Sequence, residues 1–210
     1  MVLRLLVKKL YLYENSYIGS TTLKEWCEEL KLGYNKAIIY LTANKYLVRI
    51  LKGTFYKLSL EERKFKKISI SHLEAVVEAL KMKNIRNWYF GLETAKKLNS
   101  LTHEYYVTEY VINDTIFRAK PISILGHKVR FIKLKKHLFS FGIKEHGKMR
   151  VSDNEKTLLD TIYLARYDGF SDEEIRDRAS DLIKHCSKEK LLKYAKEYNS
   201  LIKKFVGELA

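Results

Sequence analysis

The sequence predicts an α+β protein, because helical spacing at both ends of the chain encloses a middle region rich in β-forming residues. Near the N-terminus, Leu3, Leu6 and Leu10 recur at helical spacing, and the same periodicity returns in residues 151–210. Between them, aromatic and β-branched runs such as residues 105–112 are typical of strands. The predicted order is a helical front with a hairpin, a mixed α+β domain and a helical C-terminal segment.

The stretch from residue 20 to residue 45 predicts two helices joined by a tight turn. An apolar stripe that includes Leu23 and Leu30 marks the first helix, and we expect the hydroxyl side chains that precede it to cap its free N–H groups. Gly33 is expected to end this helix, because glycine tolerates the left-handed conformation. The second helix is predicted over residues 34–45.

A hairpin is predicted directly after the second helix. Residues 46–51 and 54–58 are β-forming runs, and Lys52-Gly53 between them is a short hairpin signal. Two helices joined by a turn and followed by a hairpin make a winged helix-turn-helix, whose second helix fits the major groove of DNA. We therefore predict that residues 1–60 form a winged helix-turn-helix DNA-binding domain.

The outer face of the predicted second helix carries groups that can donate hydrogen bonds, instead of the Glu/Lys mixture of an ordinary solvated helix. Asn suits adenine edges, Lys suits guanine or phosphate, and basic side chains of the hairpin are expected to hold phosphates. The alternative is a helical hairpin that is only structural. The predicted DNA-binding residues are Asn35, Lys36, Tyr40, Asn44, Lys45, Arg49 and Lys52.

The rest of the chain predicts a second domain. The charged run at residues 61–67 is interpreted as a linker or an exposed helix extension, since solvated charge is the usual state of such a run. Residues 68–210 follow as an α+β domain. Within it, a mixed sheet is predicted over residues 68–150 and helices over residues 151–210.

The most basic stretch of the chain, residues 126–136, predicts a strand with two interpretations. Lysines on an edge strand discourage pairing with other chains, and Pro121 just before this stretch is typical of an edge or a strand start. Alternatively, the basic side chains form a second surface that contacts phosphates. The residues of this candidate second basic surface are Lys128, Arg130, Lys133, Lys135 and Lys136.

Net charge is +15, distributed as +6 in residues 1–60, +10 in residues 61–150 and −1 in residues 151–210. This excess indicates a polyanionic partner. No apolar run reaches the length of a membrane span, so we expect no membrane contact and a cytoplasmic location. The two cysteines and six histidines lack ligand spacing, so neither a disulfide nor a metal or other cofactor is expected.

Charged residues near the start of residues 151–210 invite a nuclease interpretation. Restriction-type nucleases hold Mg²⁺ with an Asp and a Glu-x-Lys on a strand, but Glu155 and Lys156 are adjacent and fall in the first turn of a predicted helix. Together with Asp153 and Asp160 they are better explained as a helix cap and an ion pair. No phosphate loop or hydrolase motif is present, so we predict that the chain is not an enzyme.

Three segments together resemble the AbiEi family of antitoxins. They are the hairpin at residues 46–56, residues 89–95, and the Ser-Asp-Asn-Glu-Lys-Thr-Leu-Leu-Asp stretch at residues 152–160. The resemblance implies an N-terminal winged helix that represses its own promoter. It also implies a C-terminal domain that counters a nucleotidyltransferase-like toxin without stable contact with it.

The sequence therefore favours a sequence-specific DNA-binding transcriptional regulator, the antitoxin of an AbiEi-like toxin–antitoxin operon. Its expected partners are double-stranded DNA at its own promoter and, functionally, the toxin. Two other classes remain open: a protein-interaction module that uses the same helix to bind a partner protein, and a basic RNA-binding protein that stacks bases on exposed tyrosines. Steep salt dependence of binding to duplex DNA would separate the DNA-binding regulator from the protein-interaction module, and preference for single strands would indicate the RNA-binding protein.

Overall fold

The computed structural model describes residues 2–209, and the chain is a mixed α+β protein with a helical C-terminus, as predicted. It divides into two compact units. The first contains the residues up to 84 together with residues 123–126, and the second contains residues 85–122 and those from 127 onward. This division differs from the predicted one, because residues 61–67 belong to the first unit instead of linking two domains.

The first unit combines helices with a three-stranded antiparallel sheet of order β1-β3-β2. Its core is built on the apolar stripes that the sequence predicts, with Leu6, Leu10, Leu23 and Trp26 buried together. The helices and the hairpin of residues 20–58 occupy the predicted positions. Its elements are α1 (Val2–Leu12), β1 (Tyr17–Gly19), α2 (Ser20–Glu29), α3 (Tyr34–Ala43), β2 (Leu47–Leu51), β3 (Thr54–Lys57), α4 (Leu60–Phe65) and α5 (His72–Met82).

The later elements include a six-stranded sheet of order β6-β7-β5-β4-β9-β8. Strands β5 and β7 pair in parallel, as do β4 and β9, whereas β4 with β5 and β8 with β9 are antiparallel. The elements are β4 (Trp88–Phe90), α6 (Leu92–Leu98), β5 (Thr108–Asn113), β6 (Ile122–Ile124), β7 (His127–Lys133), a 3-10 helix (Lys136–Phe139), β8 (Ile143–His146), β9 (Met149–Ser152), α7 (Asn154–Tyr167), α8 (Asp172–Ile183), α9 (Lys188–Ala195) and α10 (Ser200–Leu209).

Two expectations about this region were wrong. The basic strand β7 is not an edge strand, because β6 flanks it on one side and β5 on the other. The helical spacing of apolar residues from Ser187 to Phe205 predicts one final helix, but this segment forms two helices, α9 and α10. The second of these starts where the Asn199 side chain accepts a hydrogen bond from the Ile202 N–H group at 3.0 Å, which caps a new first turn.

Helix α7 carries a charge network inside the core of the second unit. The side chains of Lys156 and Asp160 are fully buried, with the Lys156 Nζ atom 3.4 Å from the Asp160 carboxylate. The hydroxyls of Tyr89 and Tyr198 donate to the same carboxylate at 2.7 Å and 2.6 Å. Burial lowers the pKa of the Lys156 amine, although Asp160 opposes this shift. Asp153 caps the helix by accepting from the Lys156 N–H group, so this network has a structural explanation.

Among residues 2–209, no group of His, Cys, Asp and Glu side chains is arranged to hold a metal ion. Within the same range, no helix is long and apolar enough to cross a membrane.

Candidate nucleic-acid interface

The turn between α2 and α3 uses a lysine where glycine was expected. Lys31 takes the left-handed conformation at φ 54°, and the Leu32 N–H group donates to the Cys27 carbonyl at 2.7 Å, which closes the end of α2. Gly33 is instead extended, at φ −67° and ψ 121°, and stands at the N-cap of α3. The expected role of Gly33 in ending α2 is therefore wrong, but the tight turn is present.

Helix α3 presents one apolar and one polar face. Ala37, Ile38 and Leu41 are buried in the core, so the side chains of the other face point away from it. Asn35 and Lys36 lie in the first turn and are exposed, as predicted. Neither the amide of Asn35 nor the amine of Lys36 has a partner within residues 2–209. This face can therefore offer both an amide and a cation to a ligand.

Two of the other predicted groove residues are partly committed to the fold. Tyr40 is half-buried, and its ring stacks on that of Tyr46 with centroids 6.1 Å apart. The Asn44 side-chain amide donates to the Tyr40 carbonyl at 2.9 Å, which satisfies the C-terminal end of α3. Lys45 follows in the left-handed conformation at φ 57° with an exposed side chain. Asn44 therefore has a structural role, whereas the Lys45 amine is available.

The β2–β3 hairpin carries the two remaining predicted residues. Its turn passes through Gly53 at φ 77°, and Arg49 and Lys52 are both exposed. The Arg49 guanidinium lies 5.5 Å from the centroid of the Phe55 ring. It is also close enough to Tyr34, in the first turn of α3, to oppose the rise in the pKa of the Tyr34 hydroxyl that burial causes. The hairpin thus brings a cation beside the start of α3.

The charged side chains of this region are all basic. Residues 30–60 contain no Asp or Glu and six Lys or Arg residues. Lys36 stands in the first turn of α3, where the helix dipole disfavours a cation by about 0.3–1 kcal/mol. No acidic residue in that turn compensates for it. Lys36 therefore lowers the stability of α3 without an evident structural reason, and residues of this kind are candidates for function. An anionic ligand bound to Lys36 would offset this cost.

The candidate second basic surface is in the other unit. Lys128 and Lys136 are exposed and do not line the cleft formed by the other three residues. Arg130, Lys133 and Lys135 line one cleft together with apolar side chains. These three residues are therefore brought together around a concave site.

The predicted DNA-binding residues omit Ile39, although helical spacing already places it on the outer face of α3. Ile39 lies in the middle of the outer face of α3 and is 69% exposed, which is unusual for isoleucine. The absence of acidic residues from 30 to 60 was readable directly from the sequence and is more specific than the overall charge of residues 1–60. The hydroxyls expected to cap α2 do not do so, because the helix starts at Ser20 with Gly19 as its N-cap.

Comparisons with known proteins give a likeness that concerns the fold alone. No family model and no curated protein matches the sequence. The structure is similar to the crystal structure of the RV2827C protein from Mycobacterium tuberculosis, with a TM-score of 0.55 and 14% sequence identity. The similarity covers 97% of this chain and 76% of that chain. At this identity the likeness shows a shared fold and carries no assignment of activity.

Proposed function

We propose that the chain is a sequence-specific DNA-binding regulator whose first unit acts as a winged helix. In this proposal α3 enters the major groove, with Asn35 and Lys36 reading base edges, and the β2–β3 hairpin is the wing. Arg49 and Lys52 of the wing hold phosphates, and Lys45 holds a phosphate at the far end of α3. The chain acts by binding and catalyses no reaction.

One observation supports this proposal above the others. A helix with exposed, unpartnered Asn35 and Lys36 adjoins a hairpin with exposed Arg49 and Lys52, in a segment without a single carboxylate. A protein-binding helix of this size would be expected to bury an apolar patch, but Ile39 is the one large apolar side chain that α3 exposes within the described structure. Isolated in a polar face, it suits contact with a thymine methyl group.

Selection of duplexes from a random library by the full chain tests this proposal. We expect an enriched sequence, and we expect its binding constant to fall steeply with salt because phosphate contacts release counterions. A matched single strand of the enriched sequence should bind more weakly. Enrichment of single strands over duplexes would favour an RNA- or single-strand-binding protein, and no enrichment at all would reject the proposal.

We further propose that the regulator is the antitoxin of an AbiEi-like operon, with the second unit countering a nucleotidyltransferase-like toxin. The resemblance of residues 152–160 supports this part. The buried contacts of Lys156 and Asp160 give that stretch a role in holding the second unit together. Co-expression with the protein encoded by the neighbouring reading frame is the test. Growth arrest by the neighbour that this chain does not relieve would reject the antitoxin role and leave DNA binding untouched.

A further inference from the structure

The second unit contains a cleft of about 670 Å³ that the proposed DNA-binding function does not use. Its floor is apolar and includes Ile132 of β7 together with Leu164 and Ala165 of α7. Clefts of roughly 300–1,000 Å³ with apolar walls and a few polar groups are the usual form of small-molecule sites. The size and lining therefore indicate a ligand of moderate size with a substantial apolar face.

A partly buried arginine lies in the lining of this cleft. The Nε atom of Arg130 is buried and has no hydrogen-bond partner within residues 2–209, although the guanidinium also interacts with the Tyr110 hydroxyl. A buried donor without a partner is costly unless a ligand pairs with it. Burial raises the pKa of the neighbouring Tyr110 hydroxyl and Glu93 raises it further, whereas Arg130 lowers it. The three groups are thus close enough to interact. Lys133 and Lys135 add two more cations to the lining.

Two exposed aromatic rings also line the cleft. Phe117 and Tyr167 both line it, and they are 66% and 84% exposed. Rings of this size are normally buried, and two of them at one concave site form a surface on which a planar ligand can stack. Base–aromatic stacking does not depend on which base is present, because every base has a π face.

We propose that this cleft binds a free nucleoside phosphate. The base stacks on the exposed rings of Tyr167 and Phe117, and the phosphates pair with Arg130, Lys133 and Lys135. Glu93 and Asp168, which also line the cleft, accept hydrogen bonds from ribose hydroxyls or base amino groups. A nucleoside phosphate joins a planar aromatic group to an anion. The aromatic and apolar side chains of the lining match the first, and the cationic side chains match the second.

Calorimetric titration of the full chain with ATP, GTP, CTP and UTP tests this assignment. At least one of them should bind with a dissociation constant below about 1 mM, the level at which association is worth roughly 4 kcal/mol. Adenosine and tripolyphosphate, which each carry half of the required chemistry, should bind at least tenfold more weakly than the best triphosphate. Tripolyphosphate binding as tightly as the nucleotides would overturn the proposal, because the site would then recognise an anion alone.

Two variants with matched controls separate the cleft from the rest of the surface. Tyr167→Ala should weaken nucleotide binding about tenfold through lost stacking. Tyr105→Ala should not, because Tyr105 is similarly exposed at 81% but lies outside the cleft. Arg130→Gln should weaken binding about tenfold or more, whereas Lys144→Gln removes an equal charge from the exposed strand β8 and should have no effect. Equal effects of the two tyrosine variants would reject the stacking role.

A competition experiment distinguishes a site for free nucleotides from a site for the end of a nucleic acid strand. A short single-stranded oligonucleotide should compete with the best triphosphate no better than the corresponding monophosphate does. Stronger competition by the oligonucleotide would replace the proposal with a strand-binding cleft. Because these titrations contain no duplex DNA, their failure would leave the proposed role of α3 unaffected.

Discussion

Single residues on α3 divide between those that hold the fold and those that are available to a ligand. Tyr40 and Asn44 contact the rest of the first unit through a ring stack and a backbone hydrogen bond. Lys36, one turn before Tyr40, has an exposed amine without a partner among the described residues. Substitutions on the same helix should therefore have different consequences for stability and for binding.

Lys36→Ala should weaken binding to the selected duplex by about 1–3 kcal/mol, the usual value of one good base contact. Its thermal midpoint should stay the same or rise by up to about 4 °C, because the substitution removes a cation that the helix dipole disfavours by about 0.3–1 kcal/mol. Lys8→Ala is the matched control, because it removes the same charge from an exposed position on α1. Fluorescence anisotropy at fixed salt measures both variants. An equal loss for Lys8→Ala would mean that charge alone, not position, sets the affinity.

Arg49→Ala and Lys52→Ala should act differently from Lys36→Ala. If they hold phosphates, each should weaken binding to the selected duplex and to a random duplex by a similar factor. Each should also reduce the slope of log K against log salt by about one unit. Titrations at four salt concentrations give the slope. A loss restricted to the selected duplex would show that the wing reads bases.

At the scale of elements, α4 shows how a charged run can be part of a core. Its carboxylate Glu62 is 6% exposed and accepts four hydrogen bonds. The donors are the Ser59 N–H group, the Ser69 N–H and hydroxyl groups, and the Tyr56 hydroxyl, at 2.7–2.9 Å. Residues on both sides of α4 are thus tied to one side chain, which is why residues 61–67 do not behave as a linker.

Glu62→Gln should destabilise the first unit by about 1–3 kcal/mol, because an amide nitrogen would face donors that the carboxylate satisfied. Burial raises the pKa of Glu62, but the hydrogen bonds from Ser69, Ser59 and Tyr56 outweigh it and lower the pKa below 4.5. The associated stability is present above pH 4.5 and is lost as pH falls through the lowered pKa. Urea unfolding from pH 7 to pH 3 should show this loss in the parent. A parallel loss in Glu62→Gln would exclude Glu62 as its source.

The sequence predicts elements well where the signal is local. The Ser-His-Leu-Glu sequence at residues 71–74 is a capping-box pattern that predicts a helix start, and α5 begins there. The stripe through Leu23 and Leu30 likewise marks a helix that is present as α2. Strands β1 and β8 were not predicted, because the first spans three residues and the second, Ile143–His146, is mostly polar. Strand β1 pairs with β3, which lies far along the chain, and local periodicity does not report such a partner. Strand β8 pairs with the neighbouring β9, and its polar composition is what conceals it.

The candidate interface is predictable in part, because local periodicity also indicates which side chains are exposed. Exposure of Asn35, Lys36, Arg49 and Lys52 follows from helical and strand periodicity, and the structure places all four on the surface. The commitment of Asn44 to a helix end does not follow, because asparagine serves equally as a ligand group or a cap. The complete burial of Lys156 could not be predicted either, since lysine is almost never fully buried.

In the whole molecule, the segments that differ in net charge do not coincide with the two compact units. The first 60 residues carry a net +6, but the compact unit to which they belong contains the residues up to 84 together with residues 123–126. A fragment that ends at residue 60 would lack Glu62 and α5. Val76 and Leu80 of α5 are buried in the full chain, so the fragment would lose their packing and would uncover the parts of β2 and β3 that α5 contacts. Experiments that separate DNA binding from other roles should therefore cut near residue 84.

A fragment of residues 1–84 should bind the selected duplex with most of the salt dependence of the full chain, because Lys36, Lys45, Arg49 and Lys52 are all within it. Residues 85–210 should fail to repress the promoter but should still relieve growth arrest by the toxin. A reporter assay and a growth assay with each fragment measure the two roles. Relief by residues 1–84 alone would reverse the assignment. A much shallower salt slope for that fragment would transfer part of the duplex contact to the β7 basic residues.

The burial of Lys156 also makes this side chain a natural reporter of unfolding. Every other lysine within residues 2–209 is at least partly exposed, whereas Lys156 is fully covered by its neighbours. An amine-acylating reagent should therefore label exposed lysines such as Lys188 at once, and Lys156 only when α7 separates from the core. Peptide mass spectrometry over time would give the opening rate of the second unit without a denaturant or an engineered probe.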